Sequence, residues 1–435
     1  MKPLRDLLAQ LEHRQWQSAQ TLHALQMERF ARLAQHAWQH SPFYRLRFEQ
    51  ARLDVREPWT RERYTRIPLL TRGELMLQLE HLQCHALPPA HGQTWRTQTS
   101  GSTGQTVTVL RTDATQLFWL ACSMRDHLWQ RRDLSATLTI IKATTPVVDD
   151  PALAAQQGWG PPASLLAQTG PCYSQALSMP VAQQARWLAR IAPHTLLTYP
   201  TNLAALLDLH ERGEAPLPAT LREVRTVGET LHPGLRDRCA ALGLAVVDLY
   251  SSQELGIIAL QCPQSGLYHT QDENLIVEVL DEQGLPCAPG EVGRVVITDL
   301  HNYATPLIRY EIRDYAEAGP PCPCGRGLGT LKRIMGRRRN MVTLPDGSKH
   351  WPLVGAHRFR EIADIRQYQV VQHSLTDVEV RLVTPDGITP EQEARLTEMV
   401  HAAIGYPFPL RFTCSDQELP KTAGGKFEEF ISLLP

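Results

Sequence analysis

The chain has 435 residues, 43% of them hydrophobic and 20% charged, with a formal net charge of −1. That length can bury large cores in more than one domain, and the charge balance excludes a strongly basic nucleic-acid-binding surface as the overall design. No apolar run approaches the length of a membrane span. Met1-Lys2-Pro3-Leu4-Arg5-Asp6 leads into charged, Gln-rich sequence instead of a signal-peptide core, so the expected location is cytoplasmic. Nine cysteines are too few and too scattered for a disulfide scaffold.

The first 60 residues read as helical, with Leu7, Leu8, Leu11, Trp16, Leu22, Leu25 and Phe30 at helical spacing until His40-Ser41-Pro42 breaks the pattern. Thr71 and Glu74 stand at capping-box spacing. Two β-prone stretches, Trp95–Thr97 and Val107–Leu110, flank the run Thr99-Ser100-Gly101-Ser102-Thr103-Gly104. That run is either a polar turn or a cradle for phosphate oxygens, since glycines let the backbone turn tightly while hydroxyls and N–H groups converge on an anion. It is not a standard P-loop, because Gln105 stands where lysine would follow.

From about residue 130 the pattern alternates. Strands are expected at Ala136–Ile141, Thr195–Thr198, Leu221–Val227 and Leu244–Leu249, and helices at Ala182–Ile191, Leu203–Leu209 and Pro233–Leu242, which implies mostly parallel sheet. After Glu254, Leu275–Val279 and Val292–Thr298 read as antiparallel strands between glycine and proline turns. Tyr368–His373, Asp377–Val383 and Leu410–Thr413 read as strands and Pro390–Ala403 as a helix, enough for a small separate domain. The expected architecture is α/β: a large N-terminal domain with mixed sheets, residues 1–337, and a small C-terminal α+β domain, residues 338–435.

The candidate chemistry is spread along the chain. Glu254, just beyond a strand, is placed either to hold a divalent cation or to cap a helix. Asp314 follows a strand-like run and is placed to accept ribose hydroxyls. Lys426 follows two glycines and either neutralises phosphate or carboxylate charge or is a solvated surface charge. Cys262, His269, Cys322 and Cys324 offer three thiolates and an imidazole, a complete tetrahedral set for structural Zn²⁺; the alternative is unpaired cysteines near the surface.

Taken in order, these segments resemble the adenylate-forming acyl-CoA synthetase superfamily, and more closely its phenylacetate–CoA ligase-like, CapK-like branch. The resemblance runs from about residue 95 to 430. It implies that Thr99, Ser100, Gly101, Ser102, Thr103 and Gly104 hold the ATP phosphates, and that Gly228, Glu229 and Thr230 line the adenine site. In the segment Tyr250-Ser251-Ser252-Gln253-Glu254, Tyr250 would flank adenine and Glu254 would bind Mg²⁺, with Gln253 donating to phosphate or carboxylate. Asp314 would bind ribose, Arg337 of the interdomain Gly336-Arg337 would lie near ribose or phosphates, and Lys426 would be the catalytic lysine, carried by a C-terminal domain that rotates between half-reactions. CapK-like relatives carry a comparable cysteine and histidine set, in agreement with zinc.

Several positions depart from the family pattern. Gln105 replaces a common lysine, Ser251 and Gln253 replace the usual glycine and threonine or serine, Arg313 replaces glycine before Asp314, and Arg339 stands at the usual acidic hinge position. The implied reaction is ATP-dependent activation of a small carboxylic acid as an acyl-adenylate, releasing pyrophosphate, then transfer to a thiol: coenzyme A or the phosphopantetheine of an acyl carrier protein partner. The basic group Arg337, Arg338, Arg339, His357, Arg358 and Arg360 suits either acceptor or is a solvated linker. Trp119, Met124, His127 and Trp129 suggest an aryl acid or plain core. The alternatives are an amide-forming adenylating ligase and an impaired homologue that only binds.

Overall fold

A computed structural model of the chain describes every residue except 99–106, 144, 149, 151–154, 157, 338, 339, 353–358, 421–426 and 435. The phosphate-loop candidates Thr99 to Gly104, Gln105, Arg338, Arg339, His357, Arg358 and Lys426 therefore lie outside the described residues.

The N-terminal helices are Lys2–Arg14, Ala19–His40 and Pro42–Gln50. The expected break is a corner: Ser41 Oγ accepts from the Tyr44 N–H at 3.3 Å, and Pro42 opens the third helix where its missing N–H costs nothing. Thr71 and Glu74 form both halves of the expected capping box and start the short helix Arg72–Leu77. That start puts Arg72 in the first turn.

Among the described residues the large domain is organised on one twelve-stranded sheet. Cys172–Ala176, Leu138–Lys142, Thr195–Thr198, Glu223–Val227 and Ala245–Ser252 are successive parallel neighbours. Helices Val181–Ile191, Pro200–Glu211 and Pro233–Ala241 connect them, as expected of βαβ units. Beyond Ala245–Ser252 the sheet becomes antiparallel, through Gly256–Gln261, Tyr268–Thr270, Thr330–Arg337, Tyr310–Ala318, Val292–Asp299 and Leu275–Leu280. Ala245–Ser252 is the seam, parallel to one neighbour and antiparallel to the other. Glu254 sits in the turn that leaves it.

The helix Asp113–Trp129 is not anticipated by periodicity, and its burial explains why: every residue from Ala121 to His127 is buried, so no polar stripe marks a solvent face. Gly256–Gln261, buried throughout, escapes an alternating pattern for the same reason.

The small domain has a four-stranded sheet in the order Leu410–Ser415, Val378–Val383, Gln367–Gln372, Phe430–Ser432. Helix Pro390–Ile404 packs on it and ends at Gly405, whose φ of 74° is the left-handed value a C-terminal cap requires. Phe359, Tyr368, Val380, Leu396 and Phe408 belong to its own apolar core. The architecture is the expected one, a large mixed α/β domain with a smaller α+β domain. Among the described residues no helix is long and apolar enough to cross a membrane.

Candidate functional site

A cavity of about 270 Å³ lies between the two domains, at the carboxyl end of the seam strand. Ligands of open α/β sheets bind at such an end. Gly228, Glu229, Thr230, Tyr250, Gln253, Glu254, Asp314 and Arg337 all line it. From the small domain come Tyr368 and the segment Phe427–Phe430, which begins immediately after Lys426. Every described residue assigned to the nucleotide thus meets in one place.

Local structure fixes each of them. Asp314 and Arg337 are directly opposite one another on paired antiparallel strands, with Arg337 Nε 3.7 Å from Asp314 Oδ1. The Tyr250 hydroxyl donates to Asp314 Oδ2 at 2.9 Å. Burial, and then the Asp314 charge, push the Tyr250 phenol well above its ordinary range, so it stays a donor. Gly336 has φ 89°, and a Cβ there would stand 2.9 Å from Thr230 Oγ1, so glycine is required for Thr230 to approach the strand end.

Glu229 ties the domains together. Its carboxylate accepts from Thr201 N at 3.0 Å and Thr201 Oγ1 at 2.8 Å, and from the Phe427 N–H at 3.1 Å. His232 Nε2 lies 3.2 Å from Glu429 Oε2 and Arg360 pairs with Asp208, while Asn340 Nδ2 donates to the Phe430 carbonyl at 2.8 Å on the small domain's own side. The Gln253 carbonyl accepts from Arg111 at 3.2 Å.

Arg72 is the residue that sequence reasoning missed. It lines the cavity and stands 3.6 Å from Glu254 Oε1, both side chains being buried. That separation is an ion pair just outside hydrogen-bond reach. The only sequence signal was the capping box, which places Arg72 but says nothing of its partner.

The aromatic set divides. Trp119 lies beside the turn at Gly256, next to Glu254. Trp129 faces elsewhere: its Nε1 donates to Gln15 at 2.9 Å, and its ring meets His269 edge-on and carries Arg326 at 4.3 Å. It belongs to the core beside the cysteines, not to an acyl pocket.

Cys262, His269, Cys322 and Cys324 converge, their ligand atoms all within 4.8 Å of one another. Cys262 and Cys322 Sγ are 3.8 Å apart, and His269 Nε2 is 3.3 Å from Cys324 Sγ. Zn–S bonds of about 2.3 Å at a tetrahedral angle span an S–S edge of about 3.8 Å, so the donors fit such an ion. Burial and the nearby Arg326 guanidinium hold His269 down at about 4, as the neutral imidazole a metal takes. Burial alone would raise the Cys262 thiol, but hydrogen bonds from Ser265 and its backbone outweigh it and bring the thiol below its ordinary value.

No protein-family model matches the sequence, and no curated protein matches it. Solved structures do match. 2-Hydroxyisobutyryl-CoA ligase in the postadenylation state, in complex with 2-HIB-AMP, superposes with a TM-score of 0.76 at 18% identity, over 97% of this chain and 91% of that one. The chain shares that ligase's fold. The same ligase with 2-HIB-AMP and CoA in the thioesterification state covers the same 97% and 91% at 20% identity, with a TM-score of 0.60. A benzoate CoA ligase from Burkholderia xenovorans LB400 gives 0.53 at 17% identity, over 79% of this chain and 69% of that one.

Proposed function

We propose that the chain is an AMP-forming acid–thiol ligase. One observation carries this reading: Tyr250, Glu254, Asp314, Arg337 and the segment after Lys426 line a single cavity between the domains. The fold shared with 2-hydroxyisobutyryl-CoA ligase supports it, and the cysteine–histidine set favours the CapK-like branch.

In the first half-reaction a carboxylate oxygen of the substrate attacks the α-phosphorus of ATP. The bond to the bridging oxygen breaks and pyrophosphate leaves. Tyr250 and Gly228–Thr230 would hold adenine, Asp314 the ribose, and Thr99 to Gly104 the phosphate oxygens. Glu254 would hold Mg²⁺, a hard ion suited to a carboxylate, which when bound offsets the phosphate charge. Lys426 and Arg337 would stabilise the negative charge that grows at the α-phosphate. In the second half-reaction a thiol sulfur attacks the acyl carbon, AMP leaves, and the thiol proton passes to solvent. The acceptor would be coenzyme A or the phosphopantetheine arm of a carrier protein.

The two-domain division at 337/338 is part of this reading. Thr330–Arg337 is the last strand paired into the large sheet, and Val342 already packs in the small-domain core. The higher TM-score to the postadenylation form than to the thioesterification form of one ligase, over equal coverage, supports an adenylation-side arrangement of the domains. Rotation to admit the thiol would then have to break the Glu229–Phe427, His232–Glu429 and Arg360–Asp208 contacts. Cys262, His269, Cys322 and Cys324 would hold a structural Zn²⁺, and metal analysis of unchelated protein should find about one equivalent.

Carboxylate-dependent exchange of labelled pyrophosphate into ATP tests the reading, with Lys426→Ala as the inactive control. A competing reading, a binding protein without turnover, has its own support, since Arg72 pairs with Glu254 and Tyr250 with Asp314 inside the protein. No exchange with aryl, fatty or amino acids would leave that reading standing. Transfer assays offering coenzyme A, holo-carrier proteins and amines then separate the acceptors.

A further inference from the structure

A second cavity, of about 410 Å³, shares no lining residue with the first. It lies between the two N-terminal helices and the turn that follows the strand Val292–Asp299. Arg14, Arg29 and Arg32 line it, with His91, His301 and Tyr303, and Glu28 is the one carboxylate among its described lining residues. Glu28, Arg29 and Arg32 fall on one helical face by their spacing.

The charges do not balance. Arg32 pairs with Glu28 in an exposed (i, i+4) contact, which leaves two guanidiniums uncompensated in the lining. Arg29 donates to the Glu273 backbone carbonyl and stands 3.2 Å from His301 Nε2, and neither group carries a negative charge. The Glu273 carboxylate is already bound to Arg125 at 2.7 Å. Arg14 Nη1 is buried with no acceptor among the described residues. Burial, then the charge of Arg14 and less so that of Arg32, pull Arg29 down to about 10, against the opposing pull of the Glu273 and Glu28 carboxylates. Burial holds His91 and His301 below their ordinary values, so at neutral pH neither adds charge, and each ring offers one donor and one acceptor. A half-buried pair of like-charged guanidiniums with one N–H group buried and unused is costly unless an anion completes it.

We propose that this cavity is an anion site for a phosphate-bearing ligand, with a phosphate group bridging Arg14 and Arg29 and Arg32 at its edge. Phosphate fits better than carboxylate because two guanidinium forks present more N–H donors than two carboxylate oxygens can take, and a phosphate carries the second charge. The volume lies within the roughly 300–1,000 Å³ of small-molecule sites, so the ligand has room for more than the charged group. Two sources share this chemistry, an inorganic polyphosphate and a phosphorylated nucleoside.

The test uses the intact protein. Arginines are modified with a glyoxal reagent, and Arg14, Arg29 and Arg32 are followed by peptide mass spectrometry, with exposed Arg395 as internal reference. Inorganic pyrophosphate and adenosine 3′,5′-bisphosphate are supplied separately, against sodium chloride at matched ionic strength. Several-fold slower modification of Arg14 and Arg29, with Arg395 unchanged, is expected. Protection by both probes makes the phosphate group sufficient, and protection by the bisphosphate alone assigns the site to a nucleoside. Protection by neither, or by chloride equally, overturns the proposal. In the Arg14→Gln/Arg32→Gln variant, protection of Arg29 should disappear; if that variant does not fold, the unmodified chain still decides.

Discussion

The interdomain cavity and the cysteine–histidine cluster are served by the same strands but follow opposite plans. Gly256–Gln261 runs from Glu254 to Cys262, Tyr310–Ala318 carries Asp314 and leads on to Cys322, and Thr330–Arg337 begins after Cys324 and ends at Arg337. Each of three strands, about 20–30 Å long, therefore has a nucleotide candidate on it or beside one end, mid-strand in the case of Asp314, and a metal-ligand candidate beyond an end. The cluster is closed, with four ligand groups from one domain. The cavity is open and is completed only by residues of a second domain, through few contacts. On the proposed reading, a site that exchanges ligands and lets a domain move is assembled across a boundary, while the same strands lead away to a closed set of metal-ligand candidates that would staple them.

The sharpest way to break this comparison is to remove the staple. Cys262→Ser should lose zinc, as read by metal analysis, and destabilise the chain by about 5 kcal/mol, a fall in Tm of roughly 5–7 °C. Exchange activity should fall with it, because the strand ends that place Glu254, Asp314 and Arg337 are no longer held. Full exchange activity in zinc-free protein would show that the two ends are uncoupled. Lys426→Ala is the opposite perturbation. It should cost about 10²–10³-fold in pyrophosphate exchange and leave zinc content and Tm where they were; a large Tm loss would assign the lysine a structural role instead.

These two ends also differ in how legible they were. Cys262, His269, Cys322 and Cys324 announce themselves by residue type and Glu254 by following a strand, a local signal, while Asp314, expected to follow a strand, lies within one, because Tyr310–Ala318 continues past it. Thr195–Thr198, Glu223–Val227 and Ala245–Ser252 were readable from their alternation with helices, and Leu275–Leu280 and Val292–Asp299 from the turn residues around them, whereas Gly256–Gln261, Tyr268–Thr270 and Thr330–Arg337 were not. Arg72 was not readable, because its meaning arises only when a short helix far upstream docks against the strand Tyr310–Ala318 and brings it to Glu254. Trp129 stood open between acyl pocket and core, because helical spacing does not reveal which face meets substrate; its contacts with Gln15 and His269 decide for core.

The comparison extends to pH, with a smaller effect. In the large domain burial raises the Asp299 carboxyl to about 6, despite Arg111 and the His301 and Asn302 N–H groups. In the small domain burial opposes ionisation of Glu379, but hydrogen bonds with Arg381, His373 and Thr413 outweigh it and hold the group at about 2. The signs are therefore opposite. Asp299 binds its proton more tightly when folded, so its contribution declines as pH rises from about 4 to 6; Glu379 contributes fully above its unfolded pKa of about 4.3 and loses that contribution as pH falls toward 2. Urea unfolding of Asp299→Asn and Glu379→Gln across pH 3–8, each against the parent chain, should show the first difference growing between pH 4 and 6 and the second shrinking below about pH 4. Parallel curves for the two variants would refute the assignment.

The smallest expected effect lies on a strand the two centres share. Arg313 precedes Asp314, is exposed, and holds φ at 70°, the left-handed region that favours glycine. Among L side chains that conformation costs about 1–2 kcal/mol, which the chain bears where its relatives were expected to carry glycine. Arg313→Gly should therefore stabilise by about 1 kcal/mol, a rise in Tm of ~1–2 °C, less whatever the freer glycine backbone returns to the unfolded state. Arg313→Ala removes the same guanidinium but keeps a Cβ, so it should give no such gain. If alanine stabilises as much as glycine, the strain at Arg313 is electrostatic and the backbone is at ease; if only glycine does, the strand that joins the staple to Asp314 carries stored strain one residue from the ribose candidate.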